Sequence, residues 1–172
     1  MNASQFSEIY GMEVQRLHGF FVRMLSTDSQ SAADMVQEVM TRLWEHRSTV
    51  EGHPPESARP LIYTIAHNLC RDYWRRQSVR LEAGDDDADR AMARLSVEPD
   101  APLRMDRETF ADALRRVTAA LSPDRRMLYA LRYEQELPLA DIATVLGIPE
   151  GTVKSRLNTL TQQLKQRLSA YA

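Results

Sequence analysis

Apolar side chains recur at helical spacing along most of this 172-residue chain, and no β-branched run alternates with polar residues over the length of a strand. The periodicity stops between residues 79 and 108, where the sequence is VRLEAGDDDADRAMARLSVEPDAPLRMDRE. The aspartates in this segment repel one another, and Pro99 and Pro102 interrupt a helix. We therefore predict an all-α fold of two small helical domains, residues 1–78 and 109–172, joined by a flexible acidic linker over residues 79–108.

The composition excludes several classes of protein. A single cysteine, Cys70, rules out a disulfide framework and a cysteine-based zinc site, and the four histidines lack metal-ligand spacing. No stretch approaches the roughly 18 apolar residues of a membrane helix. Glu8 and Glu13 stand where a signal peptide needs a basic start and an apolar run. We expect a cytoplasmic protein that holds neither a metal nor a cofactor.

The first domain is predicted to contain three helices, at about 4–26, after Thr27-Asp28-Ser29, which can cap the second helix, and at about 58–78. The second helix carries Asp34, Gln37 and Glu38 opposite its apolar side, and one helical turn separates Asp34 from Glu38. This acidic stripe is either a solvated face or a docking surface for a basic partner.

The third helix combines an apolar core stripe with a basic, aromatic face. Residues 58–80 hold five basic side chains and one acidic. The core stripe is Leu61, Ile62, Ile65, Ala66 and Leu69, and the side chains that project largely elsewhere are Tyr63, His67, Asn68, Arg71, Trp74, Arg75 and Arg76. Such a face suits single-stranded DNA, because rings stack on unpaired bases, arginine neutralises phosphate and an amide reads base edges. Alternatively, Tyr63 and Trp74 belong to the edge of the core and His67 is an ordinary surface histidine.

The second domain contains a helix-turn-helix pattern. Ser122 and Pro123 are typical of a helix start, a short helix follows at Leu139–Leu146, and Gly147 suits a left-handed turn before a longer helix. The small Ala143 allows the two helices to approach closely. The first turns of the longer helix, where base edges are reached, carry Gly151, Thr152, Lys154, Ser155 and Asn158. Lys154 and Arg156 can hold phosphates or guanines.

These patterns together resemble the extracytoplasmic-function (ECF) group of bacterial sigma factors. DMVQEVMTRLWEHR at 34–47 is similar to the family's helix for binding core RNA polymerase, and LIYTIAHNLCRDYWRR at 61–76 to its helix for the minus-ten promoter element. LSPDRRMLYALRYEQELPLADIATVLGIPEGTVKSRL at 121–157 is similar to its minus-35 domain. Three motifs in the family's order are more specific than any one of them.

The resemblance implies a role for each surface. Asp34, Gln37 and Glu38 would face a basic coiled coil of the polymerase beta-prime subunit. Asn68 would capture an unstacked base of the opened minus-ten element, surrounded by Tyr63, His67, Arg71, Arg75 and Arg76. The recognition helix would read the minus-35 major groove, and Arg132 would contact the DNA backbone there. The linker would pass through the RNA channel of the polymerase.

The resemblance also implies partners and the absence of catalysis. The partners would be core RNA polymerase, through its beta-prime and beta subunits, promoter DNA, and an anti-sigma factor, which is often membrane-linked in this family. No catalytic residue and no small-molecule substrate are expected.

Some positions depart from the family's pattern. His67 stands where many relatives carry arginine, and Leu61 where tryptophan is common. Thr159 and Thr161 replace expected phosphate contacts, which predicts a weaker electrostatic hold on the minus-35 element.

Three other functions fit parts of the sequence. A dimeric helix-turn-helix regulator of duplex DNA explains residues 121–168 only. A nuclease would use the carboxylates of Asp85, Asp86, Asp87 and Asp89, although nothing there holds the oxygens rigidly. A scaffold that sequesters a partner leaves the Arg71, Arg75 and Arg76 cluster unexplained. The sequence alone leaves open whether the two domains pack together.

Overall fold

The computed structural model describes residues 1–82 and 109–171, and these contain helices and turns but no strand. Three helices form the first part: α1 is Ala3–Leu25, α2 is Ser29–Glu45 and α3 is Arg59–Glu82. Four helices form the second: α4 is Phe110–Ala119, α5 is Pro123–Tyr129, α6 is Leu139–Leu146 and α7 is Glu150–Arg167. The predicted all-α class is confirmed.

The first three helices bury their apolar stripes against one another. Phe20 and Phe21 of α1 meet edge to face at 5.5 Å, and Phe20 meets Tyr63 of α3 at 5.6 Å. Leu43 of α2 and Ile62 of α3 are fully buried in the same core. Asp28 ends the turn between α1 and α2, because its Oδ1 accepts a hydrogen bond from the Ser31 N–H at 2.8 Å. Two short 3₁₀ segments, Arg47–Val50 and Pro55–Ala58, lead into α3.

The helix-turn-helix is confirmed in detail. The turn between α6 and α7 is made by Gly147, whose φ of 64° and ψ of 35° lie in the left-handed region. The N–H of Ile148 donates to the carbonyl of Ala143 at 3.1 Å, which satisfies a carbonyl at the end of α6. Ile142, Val145, Val153 and Leu157 pack between the two helices.

A π turn at residues 130–134 follows α5 directly. The N–H of Gln135 donates to the carbonyl of Ala130 at 2.9 Å, so the repeat there is five residues instead of four. Glu136 then takes a left-handed φ of 56°. This local irregularity places Gln135 inside the protein, where only 2% of its surface is exposed.

The structure differs from the sequence-based expectations at three points. Helix α3 continues to Glu82, past the predicted end at residue 78, because VRLE consists mostly of good helix formers. Helix α4 was not predicted at all. Ser122 occupies the predicted N-cap position of α5, but its side chain makes no capping hydrogen bond. Two ring side chains at helical spacing with the apolar residues of α1 and α2 are partly exposed, Tyr10 at 43% and Trp44 at 38%.

The two domains pack against each other along α3. Helix α6 lies beside α3, and α5 contacts α1. The interface therefore joins the helix expected to bind the minus-ten element to the first helix of the helix-turn-helix. The exact domain boundaries at residues 78 and 109 stay predictions.

Candidate nucleic-acid interface

An open basic depression lies on one side of α3. Its volume is about 440 Å³, and it is lined by Asn68, Arg71, Asp72, Trp74 and Arg75. These residues fall at helical spacing and therefore share one face. The guanidinium of Arg75 pairs with the Asp72 carboxylate at 3.0 Å, but Arg75 is 75% exposed, so this pair is weak and leaves the cation available to a phosphate. Arg76 extends the exposed basic face.

Tyr63 does not project away from the core, and the sequence-based expectation is wrong on this point. Its ring is fully buried, because α6 and the segment after the π turn cover this end of α3. The hydroxyl donates to the Oε1 atom of Gln135 at 2.6 Å and lies 3.2 Å from Oε2 of Glu13. Burial, together with the nearby carboxylate, holds the pKa of Tyr63 far above its usual value, so the phenol is neutral.

His67 occupies the edge of the same covered region. Its side chain is half-buried and lies near the backbone of Val145 in the last turn of α6. Burial lowers the pKa of His67, and the positive charge of Arg71 lowers it further, while Val145 and Asp124 oppose the shift. His67 is therefore neutral near pH 7 in this arrangement.

The recognition helix presents a second depression of about 590 Å³. Among the residues that line it are Arg132, Gly151, Lys154, Ser155 and Asn158. Arg132, assigned only by resemblance, thus lies beside the predicted recognition residues. Its Nη1 donates to the carbonyl of Leu137 at 3.1 Å, which holds the guanidinium near the depression.

The other two predicted residues of this helix differ in exposure. Arg156 is exposed, whereas Thr152 is half-buried and donates its backbone N–H to Pro149. Thr159 and Thr161, which stand in place of expected basic residues, bond their hydroxyls to the helix carbonyls of Ser155 and Leu157. Their hydroxyl protons are thus engaged within the helix, and a threonine carries no positive charge that could attract a phosphate.

The acidic stripe on α2 is fully accessible. Asp34, Gln37 and Glu38 are all exposed, and their helix begins at the capped Asp28. Glu38 pairs with Arg42 one turn later at 2.7 Å, and Gln30 donates to Asp34 at 3.1 Å. Both contacts are exposed and weak, so the stripe keeps acceptor oxygens free for a basic partner.

Sequence reasoning missed a buried polar cluster between the two domains, formed by Glu13, Arg59, Tyr63 and Gln135. Arg59 Nε lies 3.0 Å from Glu13 Oε1, though its N–H is not aligned for a hydrogen bond, and Arg59 Nη2 donates to the Gln135 carbonyl at 2.7 Å. Glu13 is only 2% exposed. One signal was available: Glu13 stands between Ile9 and Leu17 at i, i+4 spacing, on the buried face of α1.

The alternative functions need features that can be compared with the structure. Among residues 1–82 and 109–171, no group of three or more acidic, histidine or cysteine side chains is arranged to hold a metal ion. The proposed nuclease carboxylates, Asp85–Asp89, lie outside the described residues. Within the same described part of the chain, no helix combines the length and the apolar character needed to cross a bilayer.

Comparison with known proteins identifies both domains. The profile of Sigma-70 region 2 matches residues 9–80, and that of Sigma-70, region 4 matches residues 111–158. The first match contains the acidic stripe and the α3 face, and the second contains most of the helix-turn-helix.

Whole-chain relatives agree with these matches. The chain is 35% identical to the ECF RNA polymerase sigma factor SigL of Mycobacterium tuberculosis over 144 residues, which cover 84% of this chain and 78% of SigL. It is 27% identical to the ECF RNA polymerase sigma factor SigE of Mycolicibacterium smegmatis, over 97% of this chain and 63% of SigE.

A solved structure shares the fold. The sigma factor RpoE from Bartonella quintana, in complex with the anti-sigma factor NepR, superposes with a TM-score of 0.66 at 21% identity. The match covers 95% of this chain and 96% of RpoE.

A region 2 domain followed by a region 4 helix-turn-helix domain defines a sigma factor. Within that class, the chain belongs to the ECF RNA polymerase sigma factors.

Proposed function

We propose that this protein binds core RNA polymerase, directs it to promoters with minus-35 and minus-ten elements, and promotes opening of the minus-ten DNA. It acts by binding and not by catalysis, in the cytoplasm, where its partners are. The observation that carries the proposal is the open depression on α3, where Asn68, Arg71 and Arg75 surround Trp74.

The α3 depression fits an extruded base and its phosphates. Asn68 is exposed and offers an amide that can both donate and accept. Arg71 and Arg75 stand one turn apart on the same face and can neutralise successive phosphates. Capture of an unpaired base offsets part of the unstacking cost, which is a few kcal/mol. Tyr63 and His67 join this surface only after α6 has moved away from α3.

The other two surfaces complete the assignment. Asp34, Gln37 and Glu38 form an exposed acidic stripe that suits a basic surface of the beta-prime subunit. Lys154, Arg156 and Asn158 present charge and hydrogen-bonding groups to the major groove of the minus-35 element, with Arg132 at the DNA backbone. The beta subunit is the proposed second polymerase contact. An anti-sigma factor is a further proposed partner, since RpoE was solved in complex with one.

The test is transcription in vitro from genomic DNA with bacterial core polymerase. The wild-type protein should produce discrete transcripts, and Asn68→Ala should reduce them at least about fivefold, since a good base contact is worth about 1–3 kcal/mol. Asn68→Asp, which keeps the shape but adds a negative charge beside phosphate, should reduce them at least as much. Gln162→Ala, an exposed change on α7 outside both depressions, is the matched control and should transcribe like wild type.

Two outcomes would contradict the proposal. If the protein bound duplex DNA alone and gave no transcripts with core polymerase, the dimeric helix-turn-helix regulator would replace it. If transcripts formed but Asn68→Ala and Asn68→Asp left them unchanged, base capture would belong to other residues.

A further inference from the structure

A hydrogen bond joins the π turn to the recognition helix. The hydroxyl of Tyr133, in the turn at residues 130–134, lies 2.7 Å from Oγ1 of Thr161 on α7, 28 residues later in the chain. Thr161 donates its own hydroxyl proton to the carbonyl of Leu157 at 2.8 Å. A threonine hydroxyl has one proton, so in this contact Tyr133 donates and Thr161 accepts.

The two threonines that stand in place of expected basic residues differ in what they contact. Thr159 is exposed, and its hydroxyl donates to the carbonyl of Ser155 within α7 at 3.2 Å. Thr161 makes the equivalent bond within the helix, but it is half-buried and also accepts the proton of Tyr133. A lysine or arginine at position 161 would offer no acceptor, because its head group only donates. The threonine at 161 therefore supplies a contact between two elements in place of a charge.

The side chain of Tyr133 is held at both ends. Its ring packs against Tyr129 of α5, with the ring centroids 5.3 Å apart, and its hydroxyl is bonded to Thr161. Tyr133 is 45% exposed, so burial alone stabilises its position less than that of a core ring. The two contacts therefore determine where the ring lies, and through it they connect α5 and the π turn to α7.

The π turn also carries Arg132, which lines the minus-35 depression together with Lys154 of α7. Nη1 of Arg132 donates to the carbonyl of Leu137 at 3.1 Å, in the segment that follows the turn. This bond holds the guanidinium relative to its own segment and not relative to α7. The bond from Tyr133 to Thr161 holds that segment against α7, one residue away from Arg132.

We propose that Tyr133 and Thr161 are positioning residues for the minus-35 element, because their hydrogen bond fixes Arg132 relative to α7. The guanidinium then meets the DNA backbone while Lys154 and Asn158 lie in the groove. Hydrogen bonds to phosphate weaken steeply outside a narrow range of distance and angle, so a small shift of the turn costs this contact. The inference rests on the proposed function, since it concerns the minus-35 surface assigned there.

The test measures DNA binding and its salt dependence in the full-length protein. The probe is the short duplex that the wild-type protein enriches most strongly from a random library, followed by fluorescence anisotropy between about 50 and 300 mM salt. Arg132→Gln should reduce the magnitude of the slope of log affinity against log salt by about 1. Tyr133→Phe and Thr161→Val, which each remove one hydroxyl, should lower the affinity about threefold and reduce the slope by about 0.5–1.

Two variants of α7 are matched controls. Thr161→Ser keeps the accepting hydroxyl and should bind like the wild type. Thr159→Val removes the same kind of bond within the helix and should also bind like the wild type, because Tyr133 donates to Thr161 and not to Thr159. In the Arg132→Gln background, Tyr133→Phe should change the affinity less than about 1.5-fold, because the contact that it positions is already lost.

Several results would overturn the positioning role. If Tyr133→Phe weakened binding and Thr161→Val did not, the Tyr133 hydroxyl would itself contact DNA. If Tyr133→Phe lowered the affinity equally with and without Arg132→Gln, the bond would not act through Arg132. If Thr159→Val weakened binding as much as Thr161→Val, the bond to Tyr133 would not be the cause. If the wild type enriched no duplex, there would be no contact to position.

Transcription with core polymerase keeps these outcomes separate from the proposed function. A wild-type protein that enriched a duplex but gave no transcripts would contradict the proposed function, and the affinities would still decide the positioning role. Discrete transcripts from the wild type, together with equal affinities and slopes for Tyr133→Phe, Thr161→Val and wild type, would overturn the positioning role and leave the proposed function intact.

Discussion

Individual residues in this protein show how backbone conformation limits substitution. Gly147 takes a left-handed φ of 64°, which a side chain rarely adopts, although the space around it is open. Gly11 lies within α1, and apart from its chain neighbours and the helix's own backbone no atom lies within 4 Å of where a Cβ would stand. The two glycines therefore differ in backbone conformation and not in crowding.

Alanine substitutions at these two glycines should have opposite effects. Gly147→Ala should lower the free energy of unfolding by about 1 kcal/mol or more, because of the strained φ. Gly11→Ala should raise it by about 0.5–1 kcal/mol, because alanine is the better helix former. Urea denaturation followed by circular dichroism measures both. Equal changes of the same sign would show that backbone conformation is not the cause.

His67 predicts a pH dependence. Its pKa is lowered in the folded protein, first by burial and then by Arg71, with Asp124 and the Val145 backbone acting in the opposite direction. A base with a lowered pKa binds fewer protons folded than unfolded, so stability falls as the pH drops through the ordinary histidine value near 6.5. Wild type should lose stability between pH 7.5 and pH 5.5, measured by urea denaturation. His67→Gln should lose less over the same range, and an equal loss in the variant would exclude His67 as the source.

At the scale of the helix, α4 depends on a single capping arrangement. Thr109 Oγ1 accepts from the backbone N–H of Asp112 at 3.3 Å, and the Asp112 side chain accepts from the backbone N–H of Thr109 at 3.4 Å. Hydrogen bonds from Thr109, and then from Arg115, lower the pKa of Asp112. This capping box marks where the helix starts after the acidic segment.

Alanine substitutions at the two N-cap positions should change the free energy of unfolding by different amounts, because only the Thr109 side chain makes a capping hydrogen bond. Thr109→Ala should lower the free energy of unfolding by about 1 kcal/mol. Ser122→Ala should cost less, because the Ser122 side chain makes no capping hydrogen bond in α5. Chemical denaturation of the full chain gives both values. A larger loss in Ser122→Ala would contradict the roles assigned to the two caps.

The helices that could be predicted from the sequence are those with strong local signals. Helix ends that depend only on the nearest few residues were predicted for α2, α5 and the helix-turn-helix. The residues that mark them are Asp28 and Pro123 at the starts of α2 and α5, and Gly147 at the end of α6. Helix α4 was missed because charged residues surround it, although Thr109 and Asp112 form a recognisable capping box. The π turn has no comparable signal in the local sequence, since its extra residue is favoured by the packing of Gln135 against residues distant in the chain.

At the scale of the whole molecule, charge is separated into distinct surfaces. Residues 150–172 hold four basic side chains and one acidic, and the acidic stripe lies on α2. Lys154 and Arg156 are exposed on the recognition helix, while Thr159 and Thr161 contribute no charge. Binding at the minus-35 element should therefore depend on salt through few phosphate contacts.

A salt titration tests this charge assignment. Binding of a minus-35 duplex, identified from the transcripts, is followed by fluorescence anisotropy between about 50 and 300 mM salt. The slope of log affinity against log salt should be about −2 to −3 for the wild type, and Lys154→Gln should reduce its magnitude by about 1. Lys165→Gln, farther along the same helix, is the control and should leave the slope unchanged. Equal slopes for Lys154→Gln and wild type would place Lys154 away from the phosphates.

The packing of the two domains could not be predicted from the sequence. Tyr63 has the spacing of an outward residue on α3, yet its ring is buried because Gln135, distant in sequence, supplies the acceptor. The spacing of Glu13 shows a charged residue on the apolar side of α1, but the sequence does not show that Arg59 is its partner. The exposed members of the candidate site, such as Asn68 and Lys154, lie where helical spacing places them. The buried members are determined by contacts between domains.

The π turn has a consequence for insertions and deletions. A π turn is one residue more than an α-helix would use, so loss of a single codon within 130–134 would restore regular helix spacing. The residues that follow would rotate by about 100° about the helix axis, and Gln135 would leave the buried position it now holds. Helices α6 and α7 would keep their own sequence and turn. A one-residue deletion should thus uncouple the two domains of this sigma factor without altering any residue of α7.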